Sequence, residues 1–166
     1  MRPFALGVLS FLAVSAASPL PFVGVPFKSS PATVDTAVRE LGYTPLGGTE
    51  GIPATADDRI YAGRFGGYRS LLAARFGPAG TLEKIALSIN PNTRDDRVTG
   101  RIVSILVSEV RRAYGEPSNG TDARTGVVWH RKDHQGTAVI RIDDTGIVRV
   151  ALESDDWPSE AKRRLR

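Results

Sequence analysis

Two histidines and an aspartate lie close together in the segment WHRKDHQG. His130, Asp133 and His134 are residue types that bind zinc or transfer protons near neutral pH. The pattern of this segment predicts that His130 lies in a strand and His134 in the turn that follows. With two histidines and no cysteine in the chain, a zinc site would lack ligands to complete its set of three or four. We therefore expect no metal site here, and no cofactor.

Four pairs of adjacent aspartates are the next candidates, because paired carboxylates can act as general acid and base or bind calcium. Each pair falls where a loop, a helix start or a turn favours aspartate for its hydrogen bonds. Ser104 and Ser108 lie in a predicted helix with no nucleophile-elbow motif around them. No catalytic residues are therefore assigned, and an enzyme is the less favoured reading. The pairs are Asp57-Asp58, Asp95-Asp96, Asp143-Asp144 and Asp155-Asp156.

The N-terminus has the three-part layout of a secretory signal peptide. Arg2 precedes the uncharged stretch from Pro3 to Ala17, which ends in small residues and is followed by Ser18 and Pro19. This stretch is shorter than the roughly 20 apolar residues needed to cross a bilayer. We expect residues 1–17 to be removed, leaving a periplasmic or secreted protein without a transmembrane segment.

Composition limits the kinds of partner and chemistry. The chain has no cysteine, which excludes disulfides, a thiol nucleophile, thiolate metal sites and a lipidated cysteine after the signal. The formal net charge of +4 is too small to indicate nucleic acid as a partner. Basic residues cluster in the C-terminal segment 155–166, which is typical of a solvated tail.

The first half of the chain predicts one helix followed by three strands. Ser30 can cap a helix whose first residue is Pro31, and Gly42 provides a stop. Strand-like runs follow at residues 61–65, 68–76 and 82–89, with Gly66-Gly67 suited to a two-residue hairpin turn.

The second half repeats this order. Thr93 and Asp96 resemble a capping box, and an apolar stripe predicts a longer helix that ends near Tyr114-Gly115. Strands are predicted at 127–132, 137–142 and 147–152. The residues 84–87, KIAL, also match 149–152, RVAL. We therefore expect one duplicated domain over residues 18–154, with halves at about 22–90 and 91–154.

Several short runs in the chain carry a resemblance to known proteins. FVGVPFKSS, VRELGY, YAGRFGGY, LEKIALSI and YGEP resemble a widespread type of small exported bacterial protein of unknown function. A helix closed by Gly-x-Pro before antiparallel strands is similar to the tandem repeats of secreted β-lactamase inhibitor proteins and of the small lipoprotein of the outer-membrane assembly machinery. The chain lacks their Gly-Met-Thr helix entry, the inhibitors' cysteines and the lipoprotein's lipidated cysteine. The resemblance therefore implies architecture alone.

The resulting expectation is an α+β fold in which two αβββ repeats form one antiparallel sheet with both helices packed on one face. Strand alternation places apolar residues such as Leu72 and Val150 under the helices and directs other residues to an open face. Five outward residues are candidates for binding carboxylate or phosphate groups, because guanidinium groups donate paired hydrogen bonds. They are Arg69, Arg75, His130, Arg141 and Arg149.

We therefore expect an exported, non-enzymatic binding or accessory protein whose partner is an acidic protein or an envelope component, and not nucleic acid. A secreted enzyme inhibitor is a special case of this interpretation, and a hydrolase acting on envelope material is the alternative. A sheet face that is merely solvated would explain the same alternation. Exchanging Arg141 and Arg149 for Glu distinguishes these interpretations, because only the binding interpretation makes partner capture depend on them.

The signal-peptide interpretation predicts the mass of the exported protein. Intact-mass spectrometry of the protein recovered from an export-competent host should give a chain that starts at Ser18, and Ala17→Arg should block cleavage because the peptidase reads small residues there. A recovered wild-type chain that still contains Arg2 would contradict the interpretation.

Overall fold

The computed structural model describes residues 18–46, 58–93, 95–131 and 136–157. In these ranges the chain forms two helices and a seven-stranded antiparallel sheet, a mixed α+β fold dominated by the sheet. No helix in these ranges is long and apolar enough to cross a membrane. The predicted signal, Asp57, Asp133, His134 and the tail from residue 158 onward lie outside the described residues.

The helices are α1, Pro31–Glu40, and α2, Asp96–Tyr114. The sheet order is β1-β2-β3-β4-β7-β6-β5, and every neighbouring pair is antiparallel. Six strands agree with the sequence prediction to within a few residues; β1 was not predicted, because it has two residues and one is a proline. The strands are β1 Thr44–Pro45, β2 Asp58–Phe65, β3 Tyr68–Phe76, β4 Leu82–Asn90, β5 Val127–Arg131, β6 Gly136–Ile142 and β7 Val148–Glu153.

Each helix begins at a side-chain cap. Ser30 Oγ accepts a hydrogen bond from the Thr33 backbone N–H at 3.3 Å, as predicted. The predicted capping box of α2 is wrong, because Asp95 is the N-cap and accepts from the Arg97 N–H at 2.8 Å. Thr93 instead accepts from the Asp95 N–H at 3.1 Å. A carboxylate at this position both satisfies a free N–H and complements the positive end of the helix dipole.

The two predicted halves meet at the centre of the sheet, where β4 pairs with β7. Leu87 lies opposite Val150, and Ala86 lies opposite Ala151. Because this pairing joins β2-β3-β4 to β7-β6-β5, all the longer strands belong to one sheet. Residues from both halves therefore alternate between the same two faces.

One hydrophobic cluster includes residues of both helices and of alternate sheet positions. Val34 and Val38 of α1 and Leu106 of α2 are fully buried within it. Trp129 of β5 is also fully buried, and its Nε1 donates a hydrogen bond to the Gly115 carbonyl at the end of α2, at 3.1 Å. The prediction that Trp129 fills space against the second helix is confirmed. The buried strand residues include Tyr61, Leu72, Ala74, Ile85, Leu87, Ile89, Ala138, Ile140, Val148, Val150 and Leu152.

A polar contact holds α1 against β2. The Asp35 carboxylate accepts hydrogen bonds from the Tyr61 hydroxyl and the Arg59 guanidinium. Burial alone would raise the pKa of Asp35, but these two hydrogen bonds and the charge of Arg59 outweigh burial and lower it. Burial, then the bond to Asp35, raises the pKa of Tyr61. Asp35 therefore remains ionised and Tyr61 protonated.

The segment that directly follows the predicted cleavage site is part of the fold. Leu20, Val23 and Val25 are buried in the hydrophobic cluster. Two backbone hydrogen bonds of 2.9 Å join this segment to the start of β4, from Lys28 N–H to the Leu82 carbonyl and from Leu82 N–H to the Ser29 carbonyl. Cleavage after Ala17 would thus leave every one of these contacts in place.

Gly136 is required by a close backbone approach, and a pair of alanine variants tests this. Gly136 has φ +99°, and a Cβ there would lie 1.9 Å from the Glu153 carbonyl oxygen. Gly80 also has positive φ, +68°, but open space around the Cβ position. Gly80→Ala should cost about 1 kcal/mol of unfolding free energy from backbone strain alone, and Gly136→Ala about 2 kcal/mol more because the strands must separate. Urea unfolding followed by tryptophan fluorescence measures both, and equal losses would contradict the assigned β6–β7 register.

Candidate binding face

The two faces of the sheet differ sharply in exposure. On β3, Leu72 is fully buried whereas Leu71 is 43% exposed. The outward residues form rows in which each residue pairs with the next across neighbouring strands. The central row consists entirely of small or β-branched apolar residues: Ile60, Ala73, Ala86, Ala151, Val139 and Val128. We call this side of the sheet the open face.

All five candidate residues lie on the open face and are exposed. They do not converge on one point. Arg75 of β3 and His130 of β5 belong to one row of cross-strand partners. This row runs from β3 through β4, β7 and β6 to β5, so the two residues are four strands apart. At about 4.8 Å per strand, their backbones are roughly 19 Å apart. The open face is therefore a broad surface, and only Arg141 and Arg149 are direct neighbours.

Three cross-strand pairs on the open face bring like charges together, namely Arg64 with Arg69, Arg75 with Lys84, and Arg141 with Arg149. Like charges placed directly opposite each other destabilise a sheet. Our sequence reasoning missed Arg64 and Lys84 as members of these pairs. The Gly66-Gly67 turn would have been enough to find Arg64, because a two-residue hairpin fixes the pairing of the residues on either side.

Carboxylates of the chain compensate one of these pairs. Arg75 lies 3.4 Å from Asp58, and the Lys84 ammonium lies 2.7 Å from Glu153 and 5.8 Å from the centre of the Trp157 ring. The Glu153 side chain is 8% exposed, and its second carboxylate oxygen has no hydrogen-bond partner in the described part of the chain. Two cations and two carboxylates thus balance in this row.

The other two pairs share a single carboxylate partner among the described residues, which is Asp143. Arg149 donates two hydrogen bonds, of 3.0 and 2.8 Å, to one oxygen of Asp143. Arg64 donates to the Gly67 carbonyl at 2.7 Å and has no ion-pair partner among the described residues. Arg69 and Arg141 form no ion pair with any residue that the structure describes. Four guanidinium groups therefore face one carboxylate.

Asp143 is fixed by the turn that joins β6 to β7. The Thr145 hydroxyl donates to it at 2.6 Å, and the backbone N–H groups of Thr145 and Ile147 each donate at 3.0 Å. The hydrogen bond from the Thr145 hydroxyl lowers the pKa of Asp143 most. Burial opposes it, but this bond together with the bonds from Arg149 and from the two backbone N–H groups brings the pKa to about 2. Asp143 is therefore ionised in the folded protein near neutral pH.

His130 does not assemble a metal or catalytic site within the described residues. Its Nδ1 lies 3.3 Å from the Thr137 hydroxyl, and its backbone N–H donates to Ser118 Oγ at 3.0 Å. The described ranges contain no group of three or more potential metal-binding side chains. The two remaining members of the candidate cluster, Asp133 and His134, are among the residues left undescribed.

Each acidic pair has a described member that binds another residue of the chain. Asp95 caps α2, Asp58 pairs with Arg75, and Asp156 contacts Lys28 at 2.6 Å. Burial would lower the pKa of Lys28, but its bonds to Asp156 and to the buried Glu83 outweigh burial and raise it. Shifts of this kind mark structural ion pairs as well as active sites.

A wide groove beside the N-terminus of α2 also contains carboxylates. Asp96 binds the Arg124 guanidinium at 3.0 Å, Asp122 accepts from the Arg124 backbone N–H at 2.8 Å, and Asp143 is held as described above. These contacts are turn and surface interactions within the chain. The groove therefore brings together no acid–base pair directed at a common point among the described residues.

Comparison of the chain with protein-family models, with curated proteins and with solved structures gave no match.

The contacts of Asp143 predict its titration. Its folded pKa, about 2, lies below the ordinary value of 3.8, so its stabilising contribution is complete above the ordinary value and is lost as the pH falls from about 4 through 2. Carboxyl-detected NMR of the folded protein should show Asp143 titrating near pH 2, and Thr145→Val should move its pKa upward. An Asp143 pKa close to 3.8 in the wild-type protein would contradict the turn geometry.

Proposed function

We propose that this chain is an exported, non-enzymatic binding or accessory protein that holds an acidic partner on the open face. The observation that carries this proposal is the excess of guanidinium groups over carboxylates around Arg141 and Arg149 in the described part of the chain. Arginines placed opposite each other destabilise a sheet, so the stability of the sheet does not explain their presence. A partner that supplies carboxylates would convert this repulsion into charge-assisted hydrogen bonds, which are among the strongest in proteins.

The apolar row gives such a partner something further to bury. Ala73, Ala86 and Ala151 are small, so a partner surface can approach the strands closely there, and their flanks carry the basic groups. Burying apolar area contributes about 25 cal/mol per Å², while the surrounding charges select the partner and steer its approach. Of the other candidates, Arg75 and His130 lie beside this row on one side, and Arg69 lies beyond Leu71 on the other.

We infer further that the architecture is two αβββ halves with both helices on the buried side of one sheet. Support comes from the centre of the sheet. The sequence offset that relates Lys84 to Arg149 also relates Ala86 to Ala151, and these two alanines are directly paired. Antiparallel strands that pair through equivalent residues are related by a local two-fold axis. Duplication of one αβββ unit would produce this arrangement.

Photo-crosslinking tests the proposed function. A photoreactive amino acid at Ser88, on the open face, should crosslink a partner in envelope preparations, while the same group at Ser104, exposed on α2, should not. The crosslinked protein is then identified, purified and titrated against the purified domain. Support requires an acidic protein that binds with saturation and loses affinity as salt is raised, because exposed charges are screened.

Arginine variants decide whether the open face is responsible. Because Arg149 holds Asp143, Arg149→Glu would set two carboxylates against each other, and Arg149→Gln is the cleaner change. Arg141→Glu with Arg149→Gln should weaken binding at least about ten-fold with little change in melting temperature. Arg97→Glu with Arg101→Gln, on the exposed side of α2, changes the charge equally and should bind like wild type. Binding that is unaffected by the first variant would refute the proposal.

A further inference from the structure

The open face is divided by charge along the apolar row. On one side lie Asp58, Arg75, Lys84 and Glu153, which are consecutive partners across β2, β3, β4 and β7 and balance one another. On the other side lie the residues that we call the uncompensated patch. They are Arg64, Arg69, Leu71, Ser88, Arg141 and Arg149, with the carboxylate of Asp143 as the one neutralising group in the described structure.

The patch also contains the most exposed apolar residue of the sheet face. Leu71 follows Arg69 by two residues on β3 and therefore lies on the same face. It pairs with Ser88, which in turn pairs with Arg149. Three large apolar side chains among the described residues are strongly exposed, and Leu71 is the one that lies on the sheet. An isolated exposed leucine is ordinary, but here it separates two groups of cations.

Strand geometry fixes the distance between the nearest members of these two groups, Arg69 and Arg149. Arg69 and Arg149 are separated by two strand spacings and by one step of two residues along the strands. With about 4.8 Å between strands and 6.7 Å for two residues, their Cα atoms lie roughly 12 Å apart. In an extended peptide, side chains four residues apart lie on one face and are separated by about 13 Å.

We propose that the uncompensated patch binds an extended acidic protein segment in which two carboxylates flank an apolar residue, in the pattern Glu-x-Leu-x-Glu. One carboxylate binds at Arg64 and Arg69, the apolar side chain contacts Leu71, and the second carboxylate binds at Arg141 and Arg149. This proposal rests on the proposed function and narrows it. Arg75 and His130, which lie on the balanced side or at its end, are outside the binding site.

A peptide titration tests the proposal without the natural partner. The probe is acetyl-Glu-Ser-Leu-Ser-Glu-amide, added to the isotope-labelled domain from Ser18 onward and followed by amide shifts in NMR spectra. Shifts should saturate and concentrate on β3, β4 and β7 around Leu71. The peptide with Gln in place of both Glu residues, and the peptide with Ser in place of Leu, should each bind at least about ten-fold more weakly.

Two arginines of one strand provide a matched pair of variants. Arg69 and Arg75 both lie on β3, point to the same face and are exposed, but only Arg75 has a carboxylate partner among the described residues. Arg69→Gln should weaken peptide binding at least about five-fold, because one carboxylate loses a donor, and Arg69→Gln with Arg141→Gln should weaken it about ten-fold or more, because both do. Arg75→Gln should change it less than about two-fold. Melting temperatures of all variants establish that each remains folded.

The outcomes separate this proposal from the proposed function. Equal losses from Arg69→Gln and Arg75→Gln would show that the face is not divided by charge and would overturn the inference. Absence of saturable peptide binding would also overturn it. If the crosslinked partner nevertheless depends on Arg141 and Arg149, the proposed function stands with a different mode of contact. If neither peptide nor partner depends on these arginines, both proposals fail.

Discussion

The pairing of β4 with β7 is the contact on which the rest of the structure depends. Among the described strands it is the one pairing that joins β2-β3-β4 to β7-β6-β5, and its register sets Leu87 opposite Val150 and Ala86 opposite Ala151. Because side chains alternate with a period of two, a slip of one residue here would send the buried residues of β7 to the open face. The burial of Val150 and Leu152 therefore fixes the outward direction of Arg149.

The same constraint concentrates charge where a stable sheet would avoid it. Once the register is fixed by the core, Arg149 must lie opposite Arg141, and the hairpin of β2 and β3 must place Arg64 opposite Arg69. Asp143 offsets one of these two repulsions, and no carboxylate of the described residues offsets the other. Natural sequences depart from local rules of stability mainly at functional or strained sites, which is why the open face is the strongest candidate in the described structure.

Much of the local structure could be predicted from the sequence, since it depends on local signals. Residue types within a few positions determine three of these features: the Ser30 cap, the glycine turn at residues 66 and 67, and the alternation in β3 and β7. The cap of α2 was misplaced because Thr93 and Asp95 both have capping side chains, and which one accepts the helix N–H depends on the path of the preceding loop. The charge division of the open face could not be predicted, because it requires knowing that β4 neighbours β7. That pairing joins residues far apart in the chain, and no local pattern specifies it.

The balanced side of the open face illustrates the same limit. Glu153 is outward by alternation and yet buried, because Lys84, its cross-strand partner on β4, binds it and Trp157 lies against that lysine. A prediction that treats every outward residue as exposed misses an ion pair of this kind. The distinction between paired and unpaired cations, and with it the location of the proposed site, therefore comes from tertiary structure.

Adjacent residues of β3 face in opposite directions, since Ala74 is buried in the core and Ala73 lies on the open face. The chain has no cysteine, so single substitutions can report this by thiol labelling. Under native conditions, Ala73→Cys is half-buried and should react with a thiol reagent within about ten-fold of the rate of the unfolded chain, whereas Ala74→Cys should react more than about a hundred-fold more slowly because it must wait for unfolding. Protection of both positions, or rapid reaction at both, would contradict the account.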